Sequence, residues 1–265
     1  MTMDKDIIRL LRVLFSYFEK KGYRYALIGA NVPLILIDQK EANGKGYGIR
    51  PTYDVDLTVE IEDWDDYQRL KQDLMKLGLV QKDRQPDHRF FMDDLIVDIL
   101  PYGEAIAKDG VIEWPGTGDR MNVIGFEKLF QYAKMESIVD DVMIPVIPLS
   151  LLVFTKILAY LDRKAPRDLQ DILYVLEHYE EASVSERRFD VVSEDKLSYE
   201  TSGAFLIAQD LKKVISNKES GIVHEFLCLF DDEYAEIVQL LVRESRKESA
   251  EILELFSAFR QGMEI

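Results

Sequence analysis

Apolar residues recur three and four apart from Ile7 to Phe18 and stop at Lys20-Lys21-Gly22, which predicts an amphipathic helix closed by a cationic last turn and a glycine. Tyr25 to Ile28 is a short apolar run with the length of a buried strand, and it ends on Gly29-Ala30-Asn31. Val32 to Gln39 again suits a helix, since Pro33 in a first turn lacks only an amide that would be unpaired there. Glu41 to Gly48 is polar and carries three glycines, so a loop is expected. Beyond Thr52 the pattern alternates through Asp54-Val55-Asp56-Leu57-Thr58-Val59, as a strand does. A helix is expected from Trp64 to Leu77, and His88 to Met92 with Leu95 to Leu100 reads as a hairpin turning on Asp93-Asp94.

From Pro148 onward the period becomes helical. Leu151 to Leu161, Arg167 to Tyr179, Gly203 to Ile215, Ile222 to Phe230 and Asp232 to Phe259 all favour helix, while the polar stretch Glu180 to Ser198 reads as an irregular connection. The change of character divides the chain into a mixed domain, 1-147, and a helical domain, 148-265, and a cleft between two lobes is where a substrate is expected.

Composition narrows the class. With 47% hydrophobic and 31% charged residues the 265-residue chain is globular rather than disordered. A formal charge of −16 argues against non-specific attraction to nucleic acid, although Arg163, Lys164 and Arg167 form a local basic cluster able to grip a short RNA end. The single cysteine, Cys228, has no disulfide partner, which fits a reducing cytoplasm. The charged N-terminal helix is unlike a signal peptide and no window approaches a membrane span, so a soluble cytoplasmic protein without a membrane partner is expected.

The candidate chemistry lies in the first domain. Asp54 and Asp56 are two apart, so on a strand both carboxylates leave the same face, and two like charges there call for a cation. Asp98 interrupts an apolar strand, where a carboxylate is costly to bury; it is a third metal ligand, a partner of backbone amides, or the mate of Arg89 across the hairpin. Gly29 to Asn31 stands between a strand and a helix, an order whose exposed amides suit phosphate, though such a glycine also makes a plain turn. Hard oxygen ligands for magnesium beside amides for phosphate are what nucleotidyl transfer requires. His88, His178 and His224 have no metal-ligand spacing and no serine or cysteine nucleophile beside them, which sets aside zinc and hydrolase chemistry.

Gly29-Ala30 followed by Arg50-x-Thr52-x-Asp54-Val55-Asp56-Leu57 resembles the signature of the DNA polymerase β-like nucleotidyltransferase superfamily. Lys156-x6-Arg163-x3-Arg167-Asp168-x2-Asp171 and the segment Thr201 to Leu211 are similar to later motifs of its AbiEii-type toxin branch, and the likeness spans roughly residues 22 to 60 and 150 to 212. The resemblance implies an α/β (α+β) fold, with an N-terminal nucleotidyltransferase-type mixed sheet and flanking helices followed by a C-terminal helical lobe. It implies Mg2+ or Mn2+ on Asp54 and Asp56, with Asp98 as a further ligand or general base. Gly29, Ala30 and Asn31 would approach a nucleoside triphosphate, Lys156 would contact phosphate unless it reaches into solvent instead, and Arg50, Thr52, Arg163 and Asp168 would support the site. The acceptor would be an RNA end such as that of tRNA, a protein, or a small molecule as for antibiotic-modifying relatives, and a cognate antitoxin would silence a toxin-like member. Ala30 departs from the Gly-Gly or Gly-Ser turn of the superfamily and offers only its amide. A non-catalytic nucleotide-binding or interaction module is the alternative.

Overall fold

The computed structural model describes residues 4–38, 54–139, 142–179, 184–194 and 197–264. It falls into two compact units, Met1–Pro148 and Leu149–Ile265. The first mixes strands and helices; in the second every described element is helical.

The first unit opens with α1 (Lys5–Lys21), capped by the Asp4 carboxylate, which accepts from the Asp6 amide at 2.7 Å, and closed by Gly22 at φ 77°. There follow β1 (Tyr25–Ile28), α2 (Asn31–Pro33), which runs into a wider π-helical stretch at Leu34–Asp38, β2 (Asp54–Glu60), α3 (Trp64–Lys76), β3 (Arg89–Met92) and β4 (Leu95–Tyr102). β5 (Val111–Glu113) and β6 (Arg120–Asn122) make a small separate ribbon, and α4 (Phe126–Tyr132), β7 (Lys134–Val139) and β8 (Val142–Val146) complete the unit. The main sheet has the order β3-β4-β2-β1-β8-β7. It is mixed: β2 pairs with β4 and β1 with β8 in parallel, while the remaining neighbours are antiparallel.

Strand alternation sorts the sheet into two faces. Val55, Leu57, Val59, Phe90, Val97 and Ile99 are fully buried on one of them. Helix α1 covers that face, with the Phe15 ring stacked on Tyr25 at 5.0 Å. Helix α3 covers it further: Tyr67 is wholly buried and its hydroxyl donates to the Ile99 carbonyl at 3.0 Å. The two helices are joined by Tyr17, whose hydroxyl donates to Asp73 at 3.0 Å, and by Lys21, 2.9 Å from the same carboxylate. Asp54, Asp56 and Asp98 alternate with the buried set and belong to the other face.

The second unit comprises α5 (Leu149–Arg163), α6 (Pro166–His178), α7 (Val184–Glu194), α8 (Tyr199–Lys212), α9 (Asn217–Leu227) with a tight turn at Cys228–Phe230, α10 (Glu236–Ser245) and α11 (Ser249–Met263). Helix α8 is its hub, buried continuously from Thr201 to Ala208. Gly262 of α11 lies against the Phe205 carbonyl and the Ala208 methyl group, so α8 and α11 meet nearly backbone to backbone.

Three sequence expectations are corrected here. The polar stretch 180–198 contains a helix, α7, stabilised by charge as much as by apolar burial. Arg187 forks onto Asp210 at 2.8 and 3.0 Å, and the buried Arg188 donates to the Tyr179 carbonyl at 3.0 Å. The single helix expected from Asp232 to Phe259 is two, separated where Arg246 takes a left-handed φ of 62° and Glu248 with Glu251 starts α11 as a capping box. The helix expected over 32–39 is one short α-turn and the π-helical stretch, with Gln39 outside the described residues. The loop expected at Glu41 to Gly48 also lies outside them. The β3–β4 hairpin turns on Asp93-Asp94 as expected, with Asp93 at φ 53°, a conformation aspartate tolerates better than most residues.

Gly262→Ala drives a methyl group into the Phe205 carbonyl, and neither backbone can retreat without opening the α8–α11 contact. Overpacking of this kind costs about 1–3 kcal/mol. Denaturant unfolding is expected to show that loss, with the secondary-structure content kept.

Candidate active site

One register row crosses four strands of the first unit. Ile28 of β1 pairs with Asp56 of β2, Asp56 with Asp98 of β4, and Asp98 with Arg89 of β3. Paired residues share a face, so Asp56, Asp98 and Arg89 form a charged line, with Asp54 two residues before Asp56 in the next row but one. Sequence spacing put Asp54 and Asp56 on one face; the parallel pairing of β2 with β4 brings Asp98 beside them.

Gly29 closes the row on the β1 side. Its φ of 75° lies in the left-handed region, and a Cβ there would overlap the Asp56 carboxylate. Backbone therefore approaches that carboxylate more closely than any side-chain-bearing residue permits. Ala30 follows as the residue before α2 and contributes no side-chain cap. Asn31 is fully buried; its Nδ2 donates to the Asp54 carbonyl at 2.7 Å, which ties the glycine turn to the start of the acidic strand. Its Oδ1 is buried with no hydrogen-bond partner among the described residues.

Asp98 is 7% exposed and both of its oxygens are engaged: Arg89 Nε donates to Oδ1 at 2.8 Å and Nη2 to Oδ2 at 2.6 Å. The fork is the geometry in which a guanidinium binds a carboxylate best. These bonds raise the Arg89 pKa against the opposing effect of burial, and the charges of Asp54 and Asp56 act in the same sense as Asp98. The field of both strand carboxylates thus reaches the guanidinium.

A hard divalent ion suits part of this row. Asp54 and Asp56 offer oxygen donors from one face, half-buried, and the Asp56 carboxylate packs on the bare backbone of Gly29. Among the described residues no group of three or more His, Cys, Asp or Glu side chains is arranged to hold an ion. Asp98 has both oxygens taken up by Arg89, its register partner on β3.

In the second unit Lys156, Arg163 and Asp168 meet. Asp168, with no exposed surface, accepts from Arg163 Nε at 2.7 Å and Nη2 at 2.6 Å, and Lys156 Nζ stands 3.4 Å from it. Lys156 lies nearer to Asp171 Oδ2, at 2.5 Å, in a contact of charges rather than a directed hydrogen bond. Asp171 closes the motif quoted from the sequence without a role of its own; the side chain that could have flagged it is Lys156, on the preceding helix. Arg50 and Thr52 lie outside the described residues.

An open cavity of ≈ 730 Å³ lies elsewhere, at the Glu60 end of β2, among Lys21, Arg24, Glu60, Glu62, Asp66 and Arg69. Its charges are largely matched to one another, Arg24 to Glu60 at 2.9 Å and Arg69 to Asp66 at 3.4 Å, and it shares no lining residue with the acidic row. No helix among the described residues is long and apolar enough to cross a membrane.

No protein-family model matches the chain, and no curated protein matches it. Among solved structures it is similar to the antibiotic-resistance factor ANT(2'')-Ia, at 12% identity and a TM-score of 0.40 over 64% of this chain and 82% of that one. It is similar to an antigenic nucleotidyltransferase-like protein from Paracoccidioides brasiliensis, at 15% identity and a TM-score of 0.39 over 74% and 91%. A tRNA-processing enzyme aligns at 11% identity and a TM-score of 0.27 over 100% and 91%. Likeness at this level assigns no residue a role.

Gly29→Ala is expected to shift the Asp56 carboxylate and to strain the turn. The left-handed conformation alone costs a residue with a Cβ about 1–2 kcal/mol. Denaturant unfolding should show a loss of at least that size, and the Asp56 carboxylate resonance in an NMR pH titration should move.

Proposed function

We propose that this chain is a metal-dependent nucleotidyltransferase that moves a nucleoside monophosphate group from a nucleoside triphosphate to an acceptor hydroxyl. The observation that carries the reading is the left-handed Gly29 packed on the Asp56 carboxylate, at the strand row where Asp54, Asp56 and Asp98 share a face. A structural turn needs a glycine; it does not need that glycine's bare backbone against a carboxylate.

Asp54 and Asp56 are the residues that would hold Mg2+ or Mn2+. Such an ion, when bound, neutralises triphosphate charge and favours the ionised form of the attacking hydroxyl. The chain's own part is to place two carboxylates on one rigid strand and to bring the Gly29–Asn31 turn beside them, with Asn31 fixing turn to strand through the Asp54 carbonyl. In the reaction the acceptor oxygen forms a bond to the α-phosphorus and the bond from that phosphorus to the bridging oxygen breaks. Pyrophosphate leaves, and the hydroxyl proton passes to a carboxylate of the row.

Lys156, Arg163 and Asp168 keep the roles that the resemblance implies. The fork from Arg163 to Asp168 holds the carboxylate against which Lys156 rests, so Asp168 positions the lysine rather than meeting substrate. Arg50 and Thr52 keep the supporting roles that the resemblance implies. The toxin role rests on the same resemblance, with RNA or protein as acceptor and a cognate antitoxin as partner.

Incubation with each α-labelled nucleoside triphosphate and Mg2+, with and without total tRNA, tests the reading. Label is expected in RNA or in protein, and Asp54→Asn or Asp56→Asn should reduce it roughly a thousandfold, as loss of several kcal/mol of transition-state stabilisation implies. A well-folded Asp54→Asn variant with full transfer would overturn the assignment. Expression of the wild-type chain alone is expected to arrest growth, and the same substitution to relieve it; equal growth with both would remove the toxin role and leave the transferase.

A further inference from the structure

Arg89 has no part in the chemistry described so far. It sits on β3, the edge of the main sheet, as the register partner of Asp98. Its fork occupies both Asp98 oxygens, at 2.8 and 2.6 Å. The pair is poorly hydrated, with side-chain exposures of 27% for Arg89 and 10% for Asp98, so water screens it little. An ion beside Asp56 could take an Asp98 oxygen only from this fork, since both oxygens are engaged in it. The same Asp98 is the register neighbour of Asp56, and by position it is the obvious third ligand.

We infer that Arg89 holds Asp98 out of the shell of a divalent ion, so that the resting protein offers the ion two carboxylates, Asp54 and Asp56, rather than three. The inference rests on the reading of this row as a nucleotidyl-transfer site. It assigns Arg89 a positioning role: a planar, permanently charged fork is suited to occupying both oxygens of one carboxylate at once. Lysine, a point charge, cannot do so. Arg89→Lys therefore keeps the local charge and frees one Asp98 oxygen, which separates geometry from simple electrostatic attraction.

Titration of the full chain with Mn2+ alone, followed by the loss of the free-ion electron paramagnetic resonance signal, tests this without any turnover. Wild type is expected to bind Mn2+ through the strand pair, and Asp54→Asn to weaken it. Arg89→Lys should bind several-fold tighter than wild type and Arg89→Met about tenfold tighter, a change of about 1.4 kcal/mol. Both gains should disappear when Asp98→Asn is added. Unfolding without metal checks each variant; should Arg89→Met fail to fold, Arg89→Lys carries the test. Unchanged affinity in Arg89→Lys, or a gain that survives Asp98→Asn, would overturn the inference while an Asp54 effect leaves the ion site standing. Equal binding by wild type and Asp54→Asn would overturn both.

Discussion

Like charges on neighbouring strands repel, and the sheet of the first unit places Asp56 directly beside Asp98 with Asp54 close by. Side chains on a partly buried sheet face have little water to spread such charge, so compensation has to be local. The Arg89 fork supplies it on one side. Because compensation comes from the edge strand, the two ends of the row differ: Asp98 lies in the Arg89 fork, whereas Asp56 lies against the bare backbone of Gly29.

The glycine end of the row is as constrained as the arginine end. Gly29 must be left-handed and must lack a Cβ, two independent demands that only glycine meets. Asn31 then uses its amide to hold the turn against the first residue of the acidic strand. Both depend on β1 running antiparallel to β2, which brings the end of the first strand to the beginning of the second. In the helical unit the corresponding economy is steric, with Gly262 letting α11 approach the backbone of α8.

Much of this was legible from the chain. Spacing alone gave Asp54 and Asp56 a common face, the Asp93-Asp94 hairpin was readable from alternation and turn chemistry, and Arg89 was one of the partners open to Asp98. What the sequence left hidden was long-range: nothing local says that β2 and β4 run parallel in the register that sets Asp56 beside Asp98. Helix α7 was hidden because its stability comes from Arg187 and Arg188 meeting groups on other elements, which a hydrophobic period does not register. The break at Arg246 was hidden because a left-handed cap usually advertises itself as glycine or asparagine, and here it is arginine. Lys156 in an apolar helix left solvent and phosphate open; its contacts with Asp168 and Asp171 come from the following helix.

The parallel pairing of β1 with β8 also governs how the unit assembles. Leu27 lies beside Val146, roughly 120 residues further along the chain. Strand β1 can find β2 early, through a much shorter connection, but its other edge stays bare until β8 exists. During synthesis the apolar run Ala26-Leu27-Ile28 therefore waits as an unpaired strand edge, the kind of surface that recruits other chains. A nascent or shortened chain that ends before residue 146 carries the whole acidic row and the glycine turn, yet leaves β1 without its second neighbour. The integrity of the candidate site is thus tied, through folding order, to a strand that contributes no residue to it.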